Sequence, residues 1–343
     1  MDFKKHFPLA LTVILIAVML VGEIIVITSS HDDYSSSISV DGDAVHFELE
    51  SPGAHTYDVL SFNNTFDTPE KVYIYFDEDY QSAAKNGLAS KGARDLNEKY
   101  YVQQLFGTLM VRDLENVEVV DAHDLERIMA DDNPGKGYAL IMLSGAIPDT
   151  VYDDESNPKI LNWIKTGGRL YWVGGMIGNY ISTPNDLVSV PNGTTLFLGS
   201  ECVDDGKIAE DDPKVLRMIE EKDLCDELCL MNHGLSFGVI ESLLPSDSVH
   251  LCIGRTDGTR CTSTLVACGD GMICIMGGDY SIRQRLDLAQ IISSGIGPES
   301  VLVDHASGSV NGTAEGTVMK GDSVFVILGR DNTVFCQYHE VAG

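Results

Sequence analysis

Three carboxylates in a row, Asp77, Glu78 and Asp79, follow the apolar run KVYIYF at residues 71–76. Oxygen-rich clusters of that kind are suited to a hard divalent cation. Two carboxylates also divide acid and base roles when their surroundings drive their pKa values apart. A second candidate, Ser144 with Gly145, closes the apolar run YALIMLSG at 138–145. The third is LYWVGGMIGNY at 170–180, where Gly174, Gly175 and Gly178 surround Met176 and Asn179. Small residues let a backbone bend sharply after a strand, present one side chain, and turn N–H groups toward a developing oxyanion. The last candidate, Asp279, follows GMICIMGG at 271–278. Carboxylate chemistry would require Asp77, Asp79 and Asp279 to converge within about 5–10 Å, as in paired glycosidase carboxylates.

All of these residues stand just after an apolar segment, so the segments decide what they can do together. Apolar runs at 71–76, 116–122, 138–145 and 169–175 read as strands. Between them, 93–114 carries apolar residues at helical spacing, and 157–168 is a helix that Pro158 starts and Gly167 stops. Strands apolar on both faces and joined by helices predict a doubly wound α/β fold with a mostly parallel, flavodoxin-like sheet. Ligands of such sheets bind beyond the carboxyl ends of the strands, where the candidates lie. Further along, TTLFLG (194–199) is read as a strand and 212–232 as a helix. Strands follow at 248–254, 263–269 and 271–278, with a Gly269-Asp270-Gly271 hairpin turn, and a closing helix spans 279–295. Residues 38–50 alternate around an Asp-Gly turn, and the Ser-, Gly-, Val- and Thr-rich chain from 297 predicts a small β appendage that this hairpin could pair with. The expected organisation is an anchor at 1–28, a linker and hairpin at 29–69, the α/β domain at 70–296 and the appendage at 297–343.

The stretch from Tyr138 to Gly178 resembles the class I glutamine amidotransferase-like fold: a strand ending in Ser-Gly, a helix ending in Gly-Gly, and a strand ending in a glycine-flanked bend. The segment GDGMICIMGGDYSIRQRLDLAQIISSG is similar to that fold's closing hairpin and helix, as in trehalose-utilisation-type and related domains. The resemblance covers about residues 70–296, and it implies a nucleophilic cysteine or serine at the bend and a histidine after the penultimate strand. Matching the pattern puts Met176 at the bend, and Gly277, Gly278 and Asp279 where the histidine belongs. A thioether has no proton to lose and forms no acyl intermediate. The resemblance therefore implies a degenerate member without the family's catalytic pair.

The 343 residues carry a formal net charge of -29, which repels nucleic acid and anionic membrane surfaces and also serves plain solubility. Lys4, Lys5 and His6 precede an apolar run from Phe7 to Ile27 interrupted only by Thr12 and Glu23. About twenty helical residues span a bilayer core. The lysines hold the short N-terminus in the cytoplasm, so the reading is a signal anchor with an extracellular remainder. A cleaved secretory signal is the alternative. Asn63, Asn192 and Asn311 each begin an Asn-x-Ser/Thr acceptor triplet on the outer side. Eight cysteines permit disulfides there, while Cys252 and Cys274 read as buried thiols within apolar strands, and Cys225 with Cys229 share helical spacing.

No phosphate loop, dinucleotide fingerprint or zinc-protease motif occurs, and His233 reads as a turn histidine. No organic cofactor is expected; a divalent cation at Asp77, Glu78 and Asp79 is one inorganic option, and a soft metal on Cys225 and Cys229 is the other, with a helix's core stripe the alternative for that cysteine pair. Two functions follow. In the first, a non-catalytic ectodomain binds a glycan or protein partner at the cell surface through Asp77, Asp79, Ser144, Gly145, Gly175, Met176, Asn179 and Asp279. In the second, a hydrolase or transferase acts on surface saccharide or peptide through Asp77, Asp79 and Asp279.

Overall fold

The computed structural model describes residues 35–84, 98–112, 114, 116–130, 134–204, 238–256, 260–277, 280, 282–330 and 333–341. The elements run β1 (Ser35–Asp41), β2 (Ala44–Asn63), β3 (Lys71–Tyr75), α1 (Glu98–Val111), β4 (Val117–Val120), α2 (Ala122–Ile128), β5 (Tyr138–Met142) and β6 (Ile147–Pro148). They continue α3 (Lys159–Lys165), β7 (Arg169–Val173), β8 (Tyr180–Ser182), β9 (Leu187–Ser189), α4 (Gly193–Leu198), β10 (Val203–Asp204), β11 (Gly238–Val239), β12 (His250–Thr256), β13 (Arg260–Cys268), β14 (Gly271–Met276) and α5 (Ile282–Ser294). Strands β15 (Val301–Met319), β16 (Ser323–Arg330) and β17 (Thr333–Glu340) complete the chain. The chain divides into two units: a larger one, Phe62–Val303 with Gly321–Ser323, and a smaller one built from the chain up to Ser61, Asp304–Lys320 and the chain from Val324 onward.

The larger unit is organised by a nine-stranded sheet of order β10-β11-β13-β14-β7-β5-β3-β4, with β12 also paired to β13. Strands β14, β7, β5, β3 and β4 are parallel, and the β10 to β13 side is antiparallel. Numbered by order of appearance, the parallel strands lie 2-1-3-4-5, the flavodoxin-like arrangement. Alternate residues Tyr73, Tyr75, Leu140, Met142, Leu170, Trp172, Ile273 and Ile275 share a buried cluster with Leu125 of α2, Ile160 and Trp163 of α3, and Phe197 of α4. The intervening Val72, Ile74, Ala139, Ile141, Tyr171, Val173 and Cys274 are buried as well, so both faces of the sheet are covered.

Helix α3 starts after Pro158 and stops where Gly167 takes a left-handed φ of 109°. The Cβ of any other residue at Gly168 would stand 2.4 Å from the Trp163 ring, so the Gly-Gly pair is a packing requirement as well as a stop. The segment 194–199, expected as a strand, lies instead in helix α4 and its cap. Gly199 at φ 79° ends that helix, and Thr194 Oγ1 donates to the Ile177 carbonyl at 3.0 Å, tying its first turn to the chain after β7. Six residues are too few for periodicity to separate the two states. Cys252 differs too, because it is bonded to Cys261 across β12 and β13, with Cα atoms 5.7 Å apart. Cys274 is a fully buried thiol, and burial pushes its pKa up.

The smaller unit is a five-stranded sheet in the order β1-β2-β16-β17, with β15 also paired to β2. The β1–β2 hairpin turns at Asp41↔Ala44, with Gly42 at φ 61°. Val45, Phe47 and Leu49 point into a core with Val318, Val324 and Val326, while His46 and Glu48 between them are exposed.

No described helix is long and apolar enough to cross a membrane. The expected anchor at 1–28, the helix at 212–232 with Cys225 and Cys229, His233 and Asp279 all lie outside the described residues.

Candidate functional site

In this sheet order the connections change direction between β3 and β5, the place where open α/β sheets keep their ligands. The loop after β3 brings Asp77 there, but both of its carboxylate oxygens accept backbone hydrogen bonds. Asp79 N donates to one at 2.9 Å and Ala122 N, the first residue of α2, donates to the other at 3.1 Å. A carboxylate at a helix N-terminus satisfies an otherwise unpaired N–H and complements the helix dipole. Asp121 and Asp124 complete that cap as a reciprocal capping box. Glu78 turns to Lys99, 2.8 Å away, and Asp79 is exposed. Among the described residues, no three His, Cys, Asp or Glu side chains converge to hold a metal ion. The acidic triplet is therefore split between capping, an ion pair and solvent.

Ser144 and Gly145 sit at the end of β5, and both are buried. The Ser144 hydroxyl donates to the Ala146 carbonyl at 2.8 Å and accepts from Ala146 N at 3.4 Å, closing a local turn. Its carbonyl accepts from Ala84 N at 2.9 Å and from Ser82 Oγ at 3.3 Å. The segment leading to Ala84 thus lies over the β3–β5 crevice, with Ala83 and Ala84 fully buried.

The bend after β7 is sharp, as expected, with Gly174 and Gly175 at φ 78° and 62°. It does not lead into a helix. Ile177 turns into the core, Gly178 at φ 76° reverses the chain, and strand β8 follows, pairing with β6 and β9. Both glycines at the tip are buried, and Gly175 O accepts from Trp172 Nε1 at 3.1 Å. Met176 is half-buried against the main cluster, and its sulfur accepts from Asn179 Nδ2 at 3.2 Å. Asn179 Oδ1 receives Thr194 N at 3.2 Å, while Gly193 and Gly178 pack so closely that a Cβ on Gly193 would meet Gly178 O at 2.0 Å. The bend is thereby fastened to α4.

Tyr280 is a residue the sequence reading missed. Its hydroxyl donates to Leu143 O, just past β5, at 3.0 Å, and stands 3.4 Å from Val173 O at the end of β7. The phenol thus sits across the carboxyl ends of the two strands beside the bend. Tyr280 takes a left-handed φ of 51°, one of two described non-glycine residues with positive φ. Nothing in DYSIRQ announces that backbone, because the segment reads as the start of a helix.

A second constellation, also missed, lies in the smaller unit. Ser37, Ser39, His46, Glu48, Glu315 and Thr317 line an open groove of about 510 Å³ over the β1, β2 and β15 strands. Ser37 stands opposite Glu48 and Ser39 opposite His46, and Thr317 Oγ1 lies 3.1 Å from His46 Nδ1. Gly316 lies against the buried Phe47 ring, where a Cβ would approach within 2.3 Å. The sequence signal was the Ser-x-Ser alternation of β1, which marks a polar face. Asn63, Asn192 and Asn311 are all exposed.

No family model matches the chain, and no curated protein matches it. Among solved structures it is similar to a β-galactosidase from Rahnella sp. R3, at 15% identity with a TM-score of 0.37, covering 75% of this chain and 35% of that one. A β-galactosidase from the Antarctic haloarchaeon Halorubrum lacusprofundi is similar at 13% identity and a TM-score of 0.39, covering 76% and 34%. A cytoplasmic protein from Salmonella typhimurium LT2 is similar at 13% identity and a TM-score of 0.31, covering 65% and 95%. The chain spans about a third of the length of those β-galactosidases.

Proposed function

We propose that this chain is a non-catalytic, amidotransferase-like domain held outside the cell by an N-terminal anchor. In this reading the groove of its smaller unit takes a hydroxyl-rich ligand such as a glycan. The observation that carries the non-catalytic reading is Met176: the position that matches the family's nucleophile holds a half-buried thioether bonded to Asn179. The 2-1-3-4-5 strand order supports the amidotransferase-like assignment. The Cys252–Cys261 bond supports an oxidising, extracellular address, and the three exposed asparagine acceptors agree with it. Hydroxyls, an imidazole and two carboxylates on an open face supply donors and acceptors for sugar hydroxyls.

The test offers the full chain a panel of neutral β-linked glucose, galactose and N-acetylglucosamine tetrasaccharides, with calorimetry for binding and product analysis for turnover. Saturable binding weakened tenfold or more by His46→Ala or Glu48→Gln, with no product formed, is the expected result. Product formation ends the non-catalytic reading, and binding by none of the three sugars ends the glycan reading.

A further inference from the structure

Beyond its last ladder partner, a parallel strand ends in carbonyls that need a donor. Leu143 O, just past β5, is such an acceptor, Val173 O stands at the last residue of the neighbouring β7, and the Tyr280 hydroxyl lies 3.0 Å from the first and 3.4 Å from the second. The wall is aromatic: the Tyr101 ring meets the Tyr280 ring edge-on, with centroids 5.7 Å apart, and the Arg285 guanidinium lies 5.4 Å from the Tyr101 centroid. Gln284 fixes the backbone behind the ring. Its Oε1 accepts from Tyr280 N at 3.0 Å and from Tyr101 OH at 3.2 Å, and its Nε2 donates to Gly277 O. Tyr280 itself is 8% exposed. Its left-handed backbone costs about 1–2 kcal/mol relative to an ordinary conformation, and the contacts of the ring hold it there.

We propose that the crevice between β5 and β7 is a binding site for a phenolic ring, and that its resident ligand is the chain's own Tyr280. The acceptor pair selects a hydroxyl donor, and the Tyr101 ring selects an aromatic body over an aliphatic alcohol. The crevice is therefore closed by an internal ligand, and solutes gain entry only when the ring is removed or displaced. This inference is independent of the glycan reading, because it concerns the larger unit alone.

The experiment uses the full chain with Tyr280→Gly. Glycine adopts the left-handed backbone without strain, so the variant removes the ring and little else. Thermal unfolding is followed with p-cresol, which is the tyrosine side chain as a free molecule, and with toluene, which lacks the hydroxyl. Tyr280→Gly is expected to unfold at a lower temperature than the parent, and millimolar p-cresol is expected to raise its midpoint, with toluene weaker and the parent unmoved by either. Equal effects of p-cresol on variant and parent, no effect on the variant, or equal effects of toluene and p-cresol overturn the proposal. Tyr280→Phe supplies a second reading that survives a failure of the glycine variant to fold. Loss of the hydroxyl is expected to lower the midpoint by about 2–4 °C, and a Phe variant as stable as the parent overturns the anchoring.

Discussion

The carboxyl edge of the parallel sheet and the β1–β2–β15 groove are opposites. The first carries the described motifs that suggested chemistry, and several of its polar groups are paired internally: Asp77 by Asp79 and Ala122, Ser144 by Ala146, Ser82 and Ala84, and the Leu143 carbonyl by Tyr280. The second carries no motif, and its His46, Glu48, Glu315 and Thr317 stand on an exposed face. The difference teaches that a family-like bend marks where a site would be built, while hydrogen-bond satisfaction decides what remains free to meet a ligand.

Breaking the internal satisfaction of the sheet edge has the largest expected effect on stability among these changes. Asp77→Ala removes two acceptors from backbone donors, one of them at the start of α2, and is expected to destabilise the larger unit by about 1–2 kcal/mol. Asp79→Ala, two residues away and exposed, is expected to change stability by less than about 0.5 kcal/mol. Urea denaturation of both variants checks the contrast. Equal losses would mean that Asp77 does not hold the start of α2.

Much of the fold was legible because the physics was local. Strands buried on both faces read as unbroken apolar runs, such as LYWV before Gly174, and the Pro158 to Gly167 frame marked a helix. The occupancy of the site was not legible. The hydrogen bond from Ala122 N at the start of α2 to Asp77 is not visible in the sequence, and Tyr280 reaches the ends of β5 and β7 through a backbone that tyrosine rarely adopts. TTLFLG was misread because six residues fit either period, and Cys252 because its partner stands on the neighbouring strand. The groove escaped for another reason: His46 and Thr317 are 271 positions apart and meet only through sheet pairing.

Tyr80 sharpens the comparison from the side of pH. Burial raises its pKa to about 12, helped by the hydrogen bond its hydroxyl donates to Asp149 at 3.1 Å. Because the folded value lies above the unfolded value of 10.0, the fold favours the neutral phenol. Its contribution is fully present below pH 10 and is lost as pH rises toward 12. Tyr80→Phe is therefore expected to lose less stability than the parent over that window and to match its pH dependence below it. Parallel curves for the two chains above pH 10 would show that neither burial nor Asp149 raises the Tyr80 pKa in the folded chain.

The smallest effect on stability is expected in the groove, where the largest effect on binding is expected. Glu48 and His46 project from β2 on the face opposite Val45, Phe47 and Leu49, so their removal opens no cavity and strands no buried partner. His46→Ala and Glu48→Gln should each shift the unfolding free energy by less than about 0.5 kcal/mol. A ligand face differs from a core in this respect: its groups are satisfied by water in the free protein and by the ligand in the complex, so folding gains little from them. If either substitution costs more than about 1 kcal/mol in denaturant unfolding, the groove is part of the sheet's own structure. The contrast between a closed edge and an open face then disappears.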